Sequence, residues 1–277
     1  MKDFKIGLQL YSVREDISAD MDGTLKQIAD MGYDCVEFAG YFDHSAEEVK
    51  AMCDKYGLEI PSVHQRHVVF LEDTENAVAF IKTLGVKYSA IPWASPDSWT
   101  NDYEKNMEEF TAASKILKEN GIQLLYHNHD FEFKLTHNGK KIFDSMFEDL
   151  GTDIIQPELD TCWAKYSGND PIEYIKKFSD SAEVLHLKDF ECKNVGTDPA
   201  YNLIDDSGKT DEGRGDKEAD GFEFRPVGYG RQNIPEILKA AENTNIKYLI
   251  VEQDEHPERS ALEDAKLSID YLRKIMA

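Results

Sequence analysis

The chain has no CxxC pair, and its four cysteines (Cys35, Cys53, Cys162 and Cys192) follow no regular spacing. That excludes a disulfide framework and reads as reduced, unpaired cysteine in a cytosolic protein. Basic residues are scarce beside acidic ones, 31 Lys and Arg against 54 Asp and Glu, giving a formal net charge of −23. A phosphate polymer or an anionic membrane must be met by clustered Lys and Arg, so neither nucleic acid nor membrane is an expected partner. No apolar run approaches the roughly 18 residues that a membrane-spanning helix needs. The opening stretch MKDFKIGLQLYSV has no basic segment leading into a long apolar one. A soluble, cytoplasmic protein is therefore expected. A glycine-rich turn after the first strand-like segment is also missing, which disfavours a dinucleotide site on an open sheet.

What is present is a regular alternation of short apolar runs with longer amphipathic ones. Eight strand candidates are read at residues 4–13, 35–40, 59–65, 88–93, 123–129, 154–160, 184–190 and 248–254. Helix signals lie between them. Leu25, Ile28 and Met31 stand at helical spacing before Gly32, and Ser45 with Glu48 forms a capping box before a run closed by Gly57. Eight strands each followed by a helix-sized segment predict a parallel eight-stranded sheet closed into a (β/α)8 barrel, one domain over residues 1–277. Pro157 removes a ladder hydrogen bond from an inner strand, so a bulge is expected there. Residues 191–230 are polar, glycine-rich and far longer than an ordinary connection. They follow the seventh strand and are expected at the C-terminal mouth as an active-site loop or lid.

The stretch PELDTCWA places Glu158 and Asp160 two residues apart, on one face of an extended strand. Two buried like charges repel, so they need a cation or a proton. The other strand ends point to a cation. They carry Glu37, His64, Trp93, His127 with His129, His186 with Lys188, and Glu252 with Asp254. A barrel brings all of these to one mouth. Imidazoles mixed with carboxylates and free of cysteine suit an open site for a divalent ion such as Mn, Zn, Co or Mg. His64, Trp93, His129, Glu132 and Lys188, with Glu37, are expected to line a pocket for a small-molecule substrate. His67, His137 and His256 fall in loops and are expected to be exposed.

In order, YHNHDFEF, ELDTCWA, HLKD, VGYG and VEQDE resemble the xylose isomerase-like superfamily of sugar phosphate isomerases and epimerases, which includes inosose dehydratases, ketose 3-epimerases and endonuclease IV. The resemblance covers essentially the whole chain. It implies a metal held by glutamate, aspartate, histidine and glutamate from successive barrel strands. Asp160, His186 and Glu252 match three of these, while His127 stands where relatives carry a glutamate. Either His127 or Glu158 then completes the ligand set. Glu158, Glu252 and His129 are the expected catalytic groups. The implied reaction is metal-assisted proton abstraction on a sugar or keto-sugar through an enediolate. The outcome is isomerisation, epimerisation, dehydration or lyase cleavage, and HNHDFEF leans toward the last two. A nuclease is disfavoured by the acidity, and a non-catalytic sugar-binding barrel by the ligand set. The oligomeric state, a homo-oligomer included, is left open.

Overall fold

The computed structural model describes residues 2–196 and 221–277. Eight parallel strands form one sheet: β1 Lys5–Gln9, β2 Cys35–Glu37, β3 Ser62–His64, β4 Tyr88–Ile91, β5 Gln123–His127, β6 Gln156–Asp160, β7 Val184–Leu187 and β8 Tyr248–Val251. Their order is β2-β1-β8-β7-β6-β5-β4-β3. The two ends meet through parallel bridges, Cys35 to Glu59 and Phe38 to Val63. Across this seam Val36 N donates to Glu59 O at 2.9 Å and His64 N to Phe38 O at 2.8 Å. This is the expected (β/α)8 barrel.

The helices begin and end where local chemistry allows. Ser45 and Glu48 satisfy each other's backbone N–H groups ahead of helix Ala46–Tyr56, which closes on Gly57 in the left-handed conformation. Ser260 and Glu263 repeat the capping box before the last helix, Ala261–Met276. Among the described residues no helix is long and apolar enough to cross a membrane.

Two-residue periodicity sorts the barrel interior into layers. Low in the barrel, Cys35, Tyr88, Ala90, Leu125, Val184, Tyr248 and Ile250 pack as a separate apolar cluster. Gly7 belongs to this floor, because a Cβ there would stand 2.6 Å from Ile250 Cδ1 and 2.7 Å from Cys35 Sγ. Above this cluster the inward positions turn polar, with Gln9, Glu37, Ser62, His64, His127, Glu158 and His186, nearly all of them buried.

Most strands stop short of the apolar runs that announced them. The run at 4–13 gives a strand only to Gln9, whose side chain accepts from Tyr11 N and turns the chain into a 3-10 segment, Leu10–Val13. Trp93, His129, Lys188, Glu252 and Asp254 therefore sit on the turns that leave the strands. The expected bulge at Pro157 is replaced by a continuous register, with Leu125, Tyr126 and His127 opposite Gln156, Pro157 and Glu158. Pairing of β6 to β7 starts only at Leu159, beyond the proline.

Of the insertion at 191–230, the middle (197–220) lies outside the described residues. Its base is a short antiparallel pair, Asp189–Glu191 with Glu223–Arg225. Phe190, Phe222 and Phe224 pack there on Trp163 and Tyr166 of the short helix Thr161–Tyr166 that follows β6. The Asp189 carboxylate accepts from the backbone N–H of Phe190 at 2.9 Å and of Gly228, Gly230 and Gln232 at 3.0 Å each. That fixes the VGYG segment under the returning chain.

Candidate metal centre and active site

The mouth holds two overlapping groups of ionisable side chains. His127, Asp160, His186 and Glu252 each offer a ligand atom within 4.8 Å of the others, and so do His64, His127, Glu158 and His186. Two imidazoles are shared, through different ring nitrogens. His127 Nε2 lies 3.8 Å from Asp160 and 3.9 Å from Glu252, while its Nδ1 lies 3.3 Å from Glu158. His186 Nδ1 lies 2.9 Å from Glu252, and its Nε2 lies 2.8 Å from Glu37.

The lower group is held mostly by its own contacts, although the buried Glu158 Oε1 and His127 Nδ1 make no hydrogen bond among the described residues. His64 Nε2 lies 2.7 Å from Glu158 Oε2 and 3.2 Å from Glu37. Glu37 also accepts from Gln9 Nε2 at 2.8 Å and from the Ser62 hydroxyl. Burial opposes ionisation of Glu37, but the neighbouring His64 and His186 hold its carboxyl well below the usual range. Burial likewise disfavours a charged His64, yet Glu37 and Glu158 push it up to about 10. Burial and the charge on Glu37 push Glu158 up to about 7.

The upper group is not closed in this way. Asp160 Oδ1 accepts from Trp163 N at 3.0 Å, but its buried Oδ2 makes no hydrogen bond among the described residues. Burial, reinforced by the charges of His186 and His64, holds His127 well below its usual value, so it is a neutral donor atom. Lys188 approaches Glu252 and Asp254 at 3.1 Å and Asp160 at 3.5 Å. Burial works against its charge, but Asp254, Glu252 and Asp160 raise it well above normal, so it stays a cation. Burial together with Glu252 lifts Asp254 to about 6 despite Lys188.

A cleft of about 510 Å³ opens over the upper group, lined on one side by Tyr11, His127, His129, Lys188, Glu252 and Asp254 and on the other by Tyr41, His64, Gln65, Arg66 and Trp93. Burial, then the charge of Lys188, pushes His129 down to about 3, leaving a neutral ring whose Nδ1 has no partner. Trp93 packs edge-on to that ring at 4.8 Å.

The expected site residues thus divide. His64, Trp93, His127, His129, Lys188 and Glu252 reach the cleft, while Asp160 and His186 lie beneath it. Glu37, Glu132 and Glu158 do not line it. Each is fully buried; Glu37 and Glu132 are spent on protein neighbours, and Glu158 meets His64 through Oε2 while its Oε1 makes no hydrogen bond among the described residues. Glu132 stands behind His129, accepting from His129 N at 2.9 Å and from the Tyr126 hydroxyl at 2.6 Å. The three histidines expected to be exposed are not. His67 is buried against Glu109 at 3.0 Å, His137 stacks on Tyr103 at 3.7 Å, and His256 bridges Asp264 and Ser12 O at 2.9 and 2.8 Å.

Sequence reading missed Gln9 and Ser62, which two-residue spacing from Gly7 and His64 would have placed on the same inward face. It also passed over Asn128, whose side chain accepts from Asp160 N at 2.9 Å and ties the ends of β5 and β6. Asp254, named among the polar strand ends but given no role there, is 5% exposed and lines the cleft.

A parallel eight-stranded barrel with a buried His/Asp/Glu cluster at its C-terminal mouth defines a barrel protein with a site able to hold a divalent ion. The chain belongs to the xylose isomerase-like TIM barrel family, whose profile matches residues 25–275. It is 25% identical over 284 residues to an inosose dehydratase of Mesomycoplasma hyopneumoniae (strain 7448), covering 95% of this chain and 90% of that one. A second inosose dehydratase, from Geobacillus kaustophilus, is 24% identical over 216 residues, 67% of this chain and 69% of that protein. A crystal structure of a sugar phosphate isomerase/epimerase from Parabacteroides distasonis superposes with a TM-score of 0.75 at 25% identity, covering 98% of both chains.

Proposed function

We propose that this protein is a divalent-metal-dependent enzyme that removes a proton beside the carbonyl of a sugar or keto-sugar. Returning that proton gives isomerisation or epimerisation, and losing a β-hydroxyl or glycoside gives dehydration or lyase cleavage. The carrying observation is the convergence of His127 Nε2, Asp160, His186 and Glu252 beneath a cleft of sugar size, with Asp160 Oδ2 left without a hydrogen bond. Lys188 stands 3.5 Å from that oxygen without hydrogen-bonding it, and a buried carboxylate oxygen short of a hydrogen bond is costly, so a directly bound ion would relieve it.

The four donors fit an ion. Glu37, itself anchored by Gln9 and Ser62, meets the second nitrogen of His186, as an outer carboxylate does behind a ligating imidazole. Glu158 serves the lower group, so His127 is the better fourth ligand. A Mn, Zn, Co or Mg ion held there would polarise a carbonyl and its neighbouring hydroxyl and acidify the adjoining C–H.

Lys188, a cation on the cleft wall, donates to the oxygen on which negative charge develops. Among the described residues Glu252 and Asp254 are the carboxylates lining the cleft, placed to reach substrate protons. His129 presents a neutral ring, and Trp93 an apolar face for C–H groups. Glu158 supports this arrangement from below without touching substrate.

The names of the two dehydratases and of the isomerase/epimerase structure support the reaction class. The test is metal analysis of purified protein, followed by proton–deuterium exchange on keto-sugars, inososes and 3-keto-glycosides in D2O. Stoichiometric metal with exchange that Glu252→Gln abolishes is expected. Metal-free protein, or full exchange in Glu252→Gln, would overturn the reading.

A further inference from the structure

The two sides of the cleft differ in charge. On the ligand side Glu252 and Asp254 both lie against Lys188, so the charge of that cation is already balanced by carboxylates. The far side is built by the turns after β2 and β3, which contribute Gly40, Tyr41, Gln65 and Arg66 and no carboxylate. Resting on the function proposed above, we propose that this end receives an anionic group on the substrate, a carboxylate or a phosphate carried by the sugar, and that Arg66 selects it.

In a chain with a net charge of −23, a guanidinium has many carboxylates to choose from. The other described arginines have all found acceptors. Arg14 donates to the backbone oxygens of Tyr11 and Asp254, and Arg231 to that of Cys192. Arg225 pairs with Glu223, Arg259 with Glu258 and Arg273 with Asp34. Among the described residues, Arg66 is the arginine whose side chain makes neither a hydrogen bond nor an ion pair, and it is exposed on the cleft. Among the described residues the Gln65 amide beside it is likewise uncommitted, and on the same side of the cleft the Tyr41 hydroxyl makes no hydrogen bond. Planar donors in a fork match the two oxygens of a carboxylate or the face of a phosphate. The oxygens of a neutral sugar can accept from a guanidinium but carry no charge to balance it, so the anion is the stronger match.

The experiment measures binding of three keto-sugars to metal-loaded protein by calorimetry: D-fructose, D-fructose 6-phosphate and 5-keto-D-gluconate. One or both anionic sugars should bind at least about tenfold more tightly than fructose. The two separate a phosphate from a carboxylate as the preferred anion. Arg66→Ala should remove that preference, leave fructose binding within about twofold, and keep metal content unchanged, while Arg66→Lys should restore part of it. Three results would overturn the proposal: no binding of any of the three, equal binding of charged and neutral sugars, or a preference that survives in Arg66→Ala. An Arg66-dependent anion preference in protein that neither holds metal nor exchanges substrate protons would refute the enzymatic reading and leave the anion site standing.

Discussion

Glu132 shows what the barrel does to a single carboxyl group. Buried without a cation, it is pushed up to about 8, while two donors, the Tyr126 hydroxyl and His129 N, still fix its place. The sign of the linkage follows. Between the unfolded value near 4.5 and about 8 the folded protein holds a proton that the unfolded chain has lost. Stability attributable to this group therefore falls as pH rises through that window, by about 1.4 kcal/mol per pH unit. Glu132→Gln, which removes the titration, should give a flatter curve of denaturation midpoint against pH between 5 and 8 than the parent. Parallel curves would show that Glu132 is ionised in the folded state. A second residue-level expectation separates the two overlapping ligand groups. His127→Ala should weaken metal binding by more than about a hundredfold, and Glu158→Gln by only about tenfold, as removal of an outer-shell partner does. Competition with a chromophoric chelator measures both, and the reverse order would move the ion to the lower group.

At the scale of elements, Asp189 is the pin for the chain that returns from the insertion. Four backbone N–H groups converge on its carboxylate. Asp189→Ala leaves them without an acceptor, so a loss of about 2–4 kcal/mol in urea unfolding is expected, together with faster proteolysis across residues 226–232. Unchanged stability would mean that water replaces the carboxylate without penalty. Such pins were invisible in the sequence, because an Asp after an apolar run gives no sign of which distant N–H groups it will meet. The strands themselves were legible, since Cys35–Glu37 and Val184–Leu187 are short apolar runs bounded by turns and could hardly be anything else. So were the inward-facing acids and imidazoles, because period two carries Glu158 with Asp160 and His186 with Lys188. Which of them would face the cleft was not legible. Glu132 and Asp254 look equally polar on paper, and only the curl of the loops puts the first behind His129 and the second beside Lys188.

For the whole molecule, a bound ion and the folded state are one equilibrium. The upper group assembles residues from β5, β6, β7 and the end of β8, so an ion held there ties together four strands that the unfolded chain scatters. Removing it with a chelator should lower the thermal midpoint, and re-adding the metal at about a hundred times its Kd should recover about 2.7 kcal/mol. A midpoint indifferent to chelation would count against the centre. The acid surplus acts in the same direction on every face: at low ionic strength the compact state repels itself, so the midpoint should rise from 10 to 200 mM NaCl.

The separation of an apolar floor from a polar mouth along the same strands has a consequence for how this barrel can change. Cys35, Leu125, Val184 and Ile250 close the cylinder, while the inward positions two residues on, Glu37, His127, His186 and Glu252, belong to the mouth. Heredity can edit one storey without rewriting the other. A library that varies mouth residues should yield mostly folded barrels with altered or absent chemistry, whereas equal diversity on the floor, Gly7 above all, should yield mostly insoluble chains. The fold can therefore keep its frame through a long succession of substrates.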